Sequence, residues 1–130
     1  MIKSAQNANT DVIIIDGAAI LKEIVYDIAQ VADYIIISTK AAVFDVTSMQ
    51  ETIRILKQNN VPYSVVLNMV SPNGQEIDDF KKMSNELGIP LCDISIGNRK
   101  DFFRTQNLGL SVQEFNRDSK GSAEIIQVYI

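Results

Sequence analysis

Three stretches set chemically useful side chains against apolar runs that could hold them: "TDVIIIDGAAI" (10–20), "VVLNMV" (65–70) and "ISIGNRKDFFR" (94–104). In the first, four apolar β-formers run into Asp16 and Gly17. A carboxylate at the end of a strand can sit beside a hydrated Mg²⁺ and a nucleotide γ-phosphate. The same carboxylate can instead cap the helix that follows, accepting backbone N–H bonds. In the second, Asn68 ends an apolar run with both a donor and an acceptor, which suits the edge of a purine. It can equally open an Asx-type turn into the loop "MVSPNG". In the third, Arg99, Lys100 and Arg104 interleave with Phe102 and Phe103. Bases in that setting can contact phosphates, or they form a solvated face while a phenylalanine enters the core.

Composition closes off other chemistries. The 130 residues contain no histidine, which removes His-based triads, most zinc sites and the commonest general base. Cys92 is the single cysteine, so no internal disulfide and no cysteine metal cluster can form, and it reads as a buried strand residue. The net charge of −4 argues against blanket nucleic-acid binding, yet the charge is uneven. Residues 11–53 hold seven acids against Lys22 and Lys40, while residues 97–120 hold five bases against three acids. That distribution is compatible with a local basic face on an acidic protein. Residues 1–10 are polar with no signal-like segment, and no apolar run approaches the roughly 20 residues needed to span a bilayer. A reducing cytoplasm is the expected location.

The elements that must position these residues follow from periodicity. Near-continuous apolar runs at 12–15, 34–37 and 63–67 predict parallel strands covered on both faces. Leu21, Ile24, Ile28 and Val31 share one helical face, and Val46, Met49, Ile53 and Leu56 share another. Thr47 with Gln50 predicts a capping box. A third helix over 76–87 buries Ile77, Phe80, Met83 and Leu87, with Gly88 as its stop and Pro90 beyond. Residues 91–94 predict a fourth strand, and 99–106 and 122–130 further helices. Alternating strands and helices predict an α/β fold with one parallel sheet, flanking helices and right-handed crossovers. Ligands in such sheets sit at the carboxyl ends of the strands. Here those ends are Asp16 and Gly17, Ser38 to Lys40, Asn68, and Ser95 to Arg99.

In order, the pieces resemble the C-terminal two-thirds of the ParA/MinD family of deviant Walker-type P-loop ATPases. "DVIIIDGAA" resembles the family's second acidic motif. "VADYIIISTKAAVFDVTSMQETIRIL" resembles the next strand, its loop and its helix. "VPYSVVLNMV" resembles the strand ending in the Asn that contacts adenine. "IPLCDISIGNRKDFFRTQNLGLSVQEF" resembles a segment with a turn, a helix and a "G-x-S-V" signature (Gly109, Ser111, Val112). "SKGSAEI" resembles the start of the last helix. Asp-Gly-Ala in place of Asp-x-Pro-Pro leans towards the small plasmid-partition ParA proteins.

The resemblance implies the C-terminal part of a SIMIBI-type P-loop NTPase fold, as a ParA-like domain over 11–130 lacking the Walker A portion. It implies that Asp16 holds the Mg²⁺ water shell or positions the attacking water. Asn68 would read adenine, with the backbone of Ile96, Gly97 and Asn98 beside it. Asp45 and its helix would lie near an ATP-dependent dimer face, and Arg99, Lys100 and Arg104 would contact DNA without sequence preference. The implied cofactors are ATP and Mg²⁺. The implied partners are a second copy, non-specific DNA and a partition adaptor protein, with no membrane. No G-x-x-x-x-G-K-[ST] occurs, and the one Lys-Gly pair, Lys120-Gly121, is out of context. The chain should therefore not hydrolyse ATP alone, and whether it is an enzyme stays open. A sheet lacking its central strand would also leave an apolar face needing a cover. The alternative is a fragment or pseudo-ATPase acting as a dimerisation or partner-binding module. A receiver-like domain would want an acidic cluster after its first strand. Amidoligase-like synthetases share "D/E-G-A" but not the "G-x-S-V" tail.

Overall fold

The computed structural model describes residues 10–17, 22–71 and 74–128. Among these residues two strands and six helices follow in the order α1 (Lys22–Ala29), β1 (Ile35–Thr39), α2 (Val43–Gln58), β2 (Tyr63–Leu67), α3 (Gln75–Glu86), α4 (Lys100–Leu108), α5 (Val112–Phe115) and α6 (Lys120–Val128). The class is mixed α/β. β1 and β2 pair in parallel, with Ile35 opposite Tyr63 and Thr39 opposite Leu67. The β-branched run at 35–37 and the alternation of α2 are what the sequence predicts for a strand, a crossover helix and a strand.

Paired residues share a face, so Ile35, Ile37, Tyr63, Val65 and Leu67 lie together on one side of the ladder. Helices α2 and α3 cover that side. Met49 and Ile53 from α2 and Phe80 from α3 pack with Val65, Leu67, Val70 and Ile89. Ala29 of α1 joins Ile55, Leu56 and Val61 in an adjoining cluster that also touches Ile35 and Ile37. Leu56, Val65 and Leu67 are fully enclosed.

Four expectations need correction. Residues 12–15 form no ladder with the sheet, and all four side chains are exposed. The apolar content is present, but hydrogen-bonding partners are not, and a lone strand has no way to satisfy its backbone except through water. The predicted strand at 91–94 shrinks to isolated parallel bridges, Val65 with Leu91 and Val70 with Gly97. Finally, β1 is covered on one face only, since Ile36 and Ser38 on the other are exposed. The capping box placed at Thr47 and Gln50 also moves. Helix α2 starts earlier, at Val43, with Ala42 as its N-cap and no side-chain cap bond. A capping box forms instead at Ser111 and Glu114, which exchange bonds around the start of α5. Gly88 ends the third helix as expected, at φ 61, beyond the reach of most L residues. The expected polar segment 1–9, the face residue Leu21, the turn residues 72–73 and the last two helix positions lie outside the described residues.

Ser84 is fully buried on α3, and its hydroxyl finds no partner among the described residues. Leaving a polar group unsatisfied costs roughly 1–3 kcal/mol. Ser84→Ala is therefore expected to raise the thermal midpoint by a few degrees, whereas Leu56→Ala should cost about 2–5 kcal/mol by opening a cavity. Calorimetric melting of both variants checks the pair, and a drop in midpoint for Ser84→Ala would contradict the reading of α3.

Candidate functional site

The carboxyl end of the ladder gathers polar groups, as the strand order requires. The Asn68 backbone N–H donates to the Thr39 carbonyl at 2.7 Å, closing the ladder one residue past β2. Its side-chain amide then crosses to β1, where Nδ2 donates to Ser38 Oγ at 3.2 Å. Oδ1 accepts from the next N–H, that of Met69, at 2.8 Å, and Met69 takes the left-handed region at φ 54. Asn68 thus makes a local turn, and still keeps one Nδ2 hydrogen and one Oδ1 lone pair for another group. Thr39 is buried, while Ser38 and Lys40 are exposed beside it.

The loop at 96–98 runs alongside. Ile96 N–H donates to Leu67 C=O at 2.8 Å, Val70 N–H to Ile96 C=O at 3.1 Å, and Asn98 N–H to Val70 C=O at 2.9 Å. Gly97 N–H donates to Glu124 Oε2 at 3.1 Å. All three N–H groups of this loop are therefore engaged. The carbonyls of Gly97 and Asn98 take no hydrogen bond among the described residues, and Gly97 is buried, with its backbone groups turned away from Val70. The unused Nδ2 hydrogen and Oδ1 lone pair of Asn68 together can hold the edge of a flat group that pairs an amino donor with a ring acceptor.

Glu124, one helix away, fixes this loop. Arg99 donates from Nε to Oε2 at 2.9 Å and from Nη2 to Oε1, a bidentate pair that is largely shielded from solvent. Sequence reasoning singled out Arg99 as a DNA contact but passed over Glu124. No spacing rule connects residues 25 apart on different elements, so only the fold reveals the pair. Lys100 is exposed at the start of α4, and Arg104 is exposed with Asp101 at 4.0 Å. Of the three predicted bases, then, one is committed internally and two face outward. Phe102 and Arg99 pack against Gly121, where an added Cβ would meet them at 3.3 and 3.4 Å.

Asp16 stands apart from these groups. It is exposed and makes no hydrogen bond or ion pair with the described residues. Whether it caps a helix turns on residues 18–21, outside the described set. No group of three or more His, Cys, Asp or Glu side chains that could hold a metal occurs among the described residues. Residues 10–17 face β1 across a cavity of about 910 Å³, whose walls include Ile13, Ile15, Ile28 and Ile36. Cys92 is half-buried and free. No helix among the described residues is long and apolar enough to cross a membrane. No protein-family model matches this chain, and no curated protein matches it.

The Arg99 guanidinium holds the Glu124 carboxyl below its ordinary value of 4.5, burial opposes this, and the Gly97 N–H adds to it. A carboxyl depressed by folding stabilises the protein fully above its unfolded value and loses that contribution as pH falls through the folded one. Stability should thus fall below about pH 4.5 more steeply in the parent protein than in Glu124→Gln, read by urea unfolding at stepped pH. Glu114 is also held low, by its bonds to Ser111. It titrates in both proteins and cancels in the comparison. At pH 7, Arg99→Ala should cost roughly 1–3 kcal/mol, because the shielded Glu124 carboxylate loses its charged partner and keeps only the Gly97 N–H.

Proposed function

We infer that the chain is the C-terminal portion of a ParA-like partitioning ATPase, which with a complete site binds ATP·Mg²⁺, dimerises and holds DNA without sequence preference. The observation that carries this reading is the juxtaposition of Asn68 with the loop at 96–98, at the carboxyl end of a parallel ladder. An adenine ring offers an exocyclic amino donor beside a ring acceptor. The free Oδ1 lone pair of Asn68 suits the first, and its remaining Nδ2 hydrogen suits the second. The fit is local to the base. For the phosphates the described residues offer no cradle, and Asp16 alone can act on Mg²⁺ only through its water shell. Bound ATP·Mg²⁺ would supply the phosphoryl chemistry. This chain's own residues would grip the base, orient it and present the Asp16 carboxylate. Lys100 and Arg104 are the outward bases that favour the DNA part of the reading, in the cytoplasm and with a second copy or an adaptor protein as partners. A non-enzymatic module that keeps this fold for partner binding is the competing view.

Titration of the labelled protein with adenosine, and separately with ATP·Mg²⁺, tests the base site by amide chemical shifts. Weak binding near 1 mM, about −4 kcal/mol, should perturb Asn68 and residues 96–98 with both ligands and disappear in Asn68→Ala. Asp16→Ala should leave adenosine binding intact. Perturbations elsewhere, or none up to several millimolar, would move the function to the non-enzymatic module. For DNA, the salt slope of binding to a random duplex should fall by about 1–2 in the double variant Lys100→Ala with Arg104→Ala.

A further inference from the structure

We propose that Glu124 is the positioning residue of the Asn68 turn, its carboxylate standing beside Gly97 where a further strand would stand and so keeping the turn closed. The turn is a bulge. Ile96 donates its N–H to Leu67 C=O at 2.8 Å and accepts from Val70 N–H at 3.1 Å. A regular parallel ladder would take its donor from Met69, so one extra residue stands between the two bonds. That extra residue is held in an unusual conformation, because Met69 occupies the left-handed region at φ 54 without being glycine. A side chain stays there only where its surroundings over-determine it. The bulge aims Asn68, whose Oδ1 accepts from Met69 N–H and whose Nδ2 donates to Ser38.

What keeps Ile96 in register is bonded through its neighbour. Gly97 is the bridge partner of Val70, and its own N–H points the other way, donating to Glu124 Oε2 at 3.1 Å. The same oxygen accepts from Arg99 Nε at 2.9 Å, and Oε1 accepts from Arg99 Nη2. One carboxylate therefore holds the loop by its backbone and, two residues on, by the side chain at the N-cap of α4. Helix α6 fixes where that carboxylate stands. Gly121 and Ser122 are its buried residues, and a Cβ on Gly121 would meet Phe102 Cζ at 3.3 Å and Arg99 Cδ at 3.4 Å. Glu124 follows three residues later on the same helical face. An exposed ion pair would contribute little. Here the Arg99 and Glu124 side chains are only 26 and 19 % exposed.

A staple between α4 and α6 would need Arg99 alone. The bond to Gly97 does something else, since no other hydrogen bond reaches the outer side of residues 96–98 among the described residues. Without it the loop is free to shift along β2, and the bulge relaxes as Met69 returns to the right-handed region. Asn68 then loses the partner that orients its amide. For its effect on ligand binding the proposal rests on the base-site reading, whereas the turn itself is tested without ligand.

The experiment is amide hydrogen exchange on the full chain, parent against Glu124→Gln, followed by adenosine titration of both. The Val70 and Asn98 amides, which bond across the bulge, should exchange about tenfold faster in the variant relative to Ile35 and Leu87. Those two reporters bond to Pro62 and Met83, away from the loop. Equal acceleration at all four amides would mean a general loss of stability and overturns the proposal. Glu124→Asp withdraws the carboxylate by one methylene and should give the same selective pattern, which answers the question if the glutamine variant does not fold. Arg99→Lys keeps a cation beside Glu124 and spares the Gly97 bond, so its rates at Val70 and Asn98 should stay within about twofold of the parent's. A tenfold rise there as well would assign the hold to the ion pair and overturn the role of Gly97. Adenosine should bind Glu124→Gln about fivefold more weakly than the parent, and equal affinity overturns the positioning role. A parent that binds no adenosine, with the selective acceleration present, removes the base site and leaves Glu124 as the holder of the turn.

Discussion

Two parallel strands cannot be joined by a tight turn, so pairing Ile35–Thr39 with Tyr63–Leu67 demands a crossover long enough to return the chain to the same end of the sheet. The crossover is α2, and the other placements follow from it. Its apolar stripe must land on the face that carries Ile37, Val65 and Leu67, which brings Met49 and Ile53 over the ladder and leaves room for Phe80 from α3 beside them. The crossover also fixes which ends of the strands coincide. Ser38 and Asn68 lie 30 residues apart in sequence, yet they share a hydrogen bond because parallel strands finish together.

Beyond the ladder, order is passed on by single polar contacts rather than by sheet. Residues 91–98 join β2 and Val70 through bridge bonds, with Leu91 packed on the core at one end of the segment. Glu124 supplies what the bridges lack, taking Gly97 and Arg99 on the two oxygens of one carboxylate. Helix α6 therefore acts on the loop at 96–98 directly, and through its bonds to Leu67 and Val70 on the chain that carries Asn68. The basic segment read as one feature in sequence divides in the fold. Arg99 turns inward as a positioning residue, while Lys100 and Arg104 remain outside.

What sequence made legible was whatever depends on local periodicity. The apolar runs of β1 and β2, the stripe of α2, the burial of Phe80 and the stop at Gly88 all follow from rules spanning fewer than eight residues. What escaped depends on partners distant in sequence. An apolar run such as 12–15 becomes a strand only when another edge is present to bond with, and its composition carries no information about whether that edge exists. The same limit hid Glu124, whose role is defined by an arginine on another element. For α2 a strong local signal misled, since the Thr47 and Gln50 pattern sits within the helix, which tertiary packing extends back to Val43. For Asn68 the two readings weighed from sequence are compatible. The side chain builds the turn through Oδ1 and Ser38, and still has capacity left.

Asp16 depends on the least settled part of this architecture. A carboxylate acts on a metal's water shell or on an attacking water only when its position is held to within a fraction of an ångström. Here it lies in a segment that makes no ladder bonds among the described residues, beside a cavity of about 910 Å³. The open side of β1 has no strand beside it among the described residues, so nothing there holds the chain that carries Asp16. The geometry of the acidic residue is in this sense a consequence of what completes the sheet. That coupling distinguishes Asp16 from Asn68, which is already held by Thr39 and Ser38 and needs no further element to be in place.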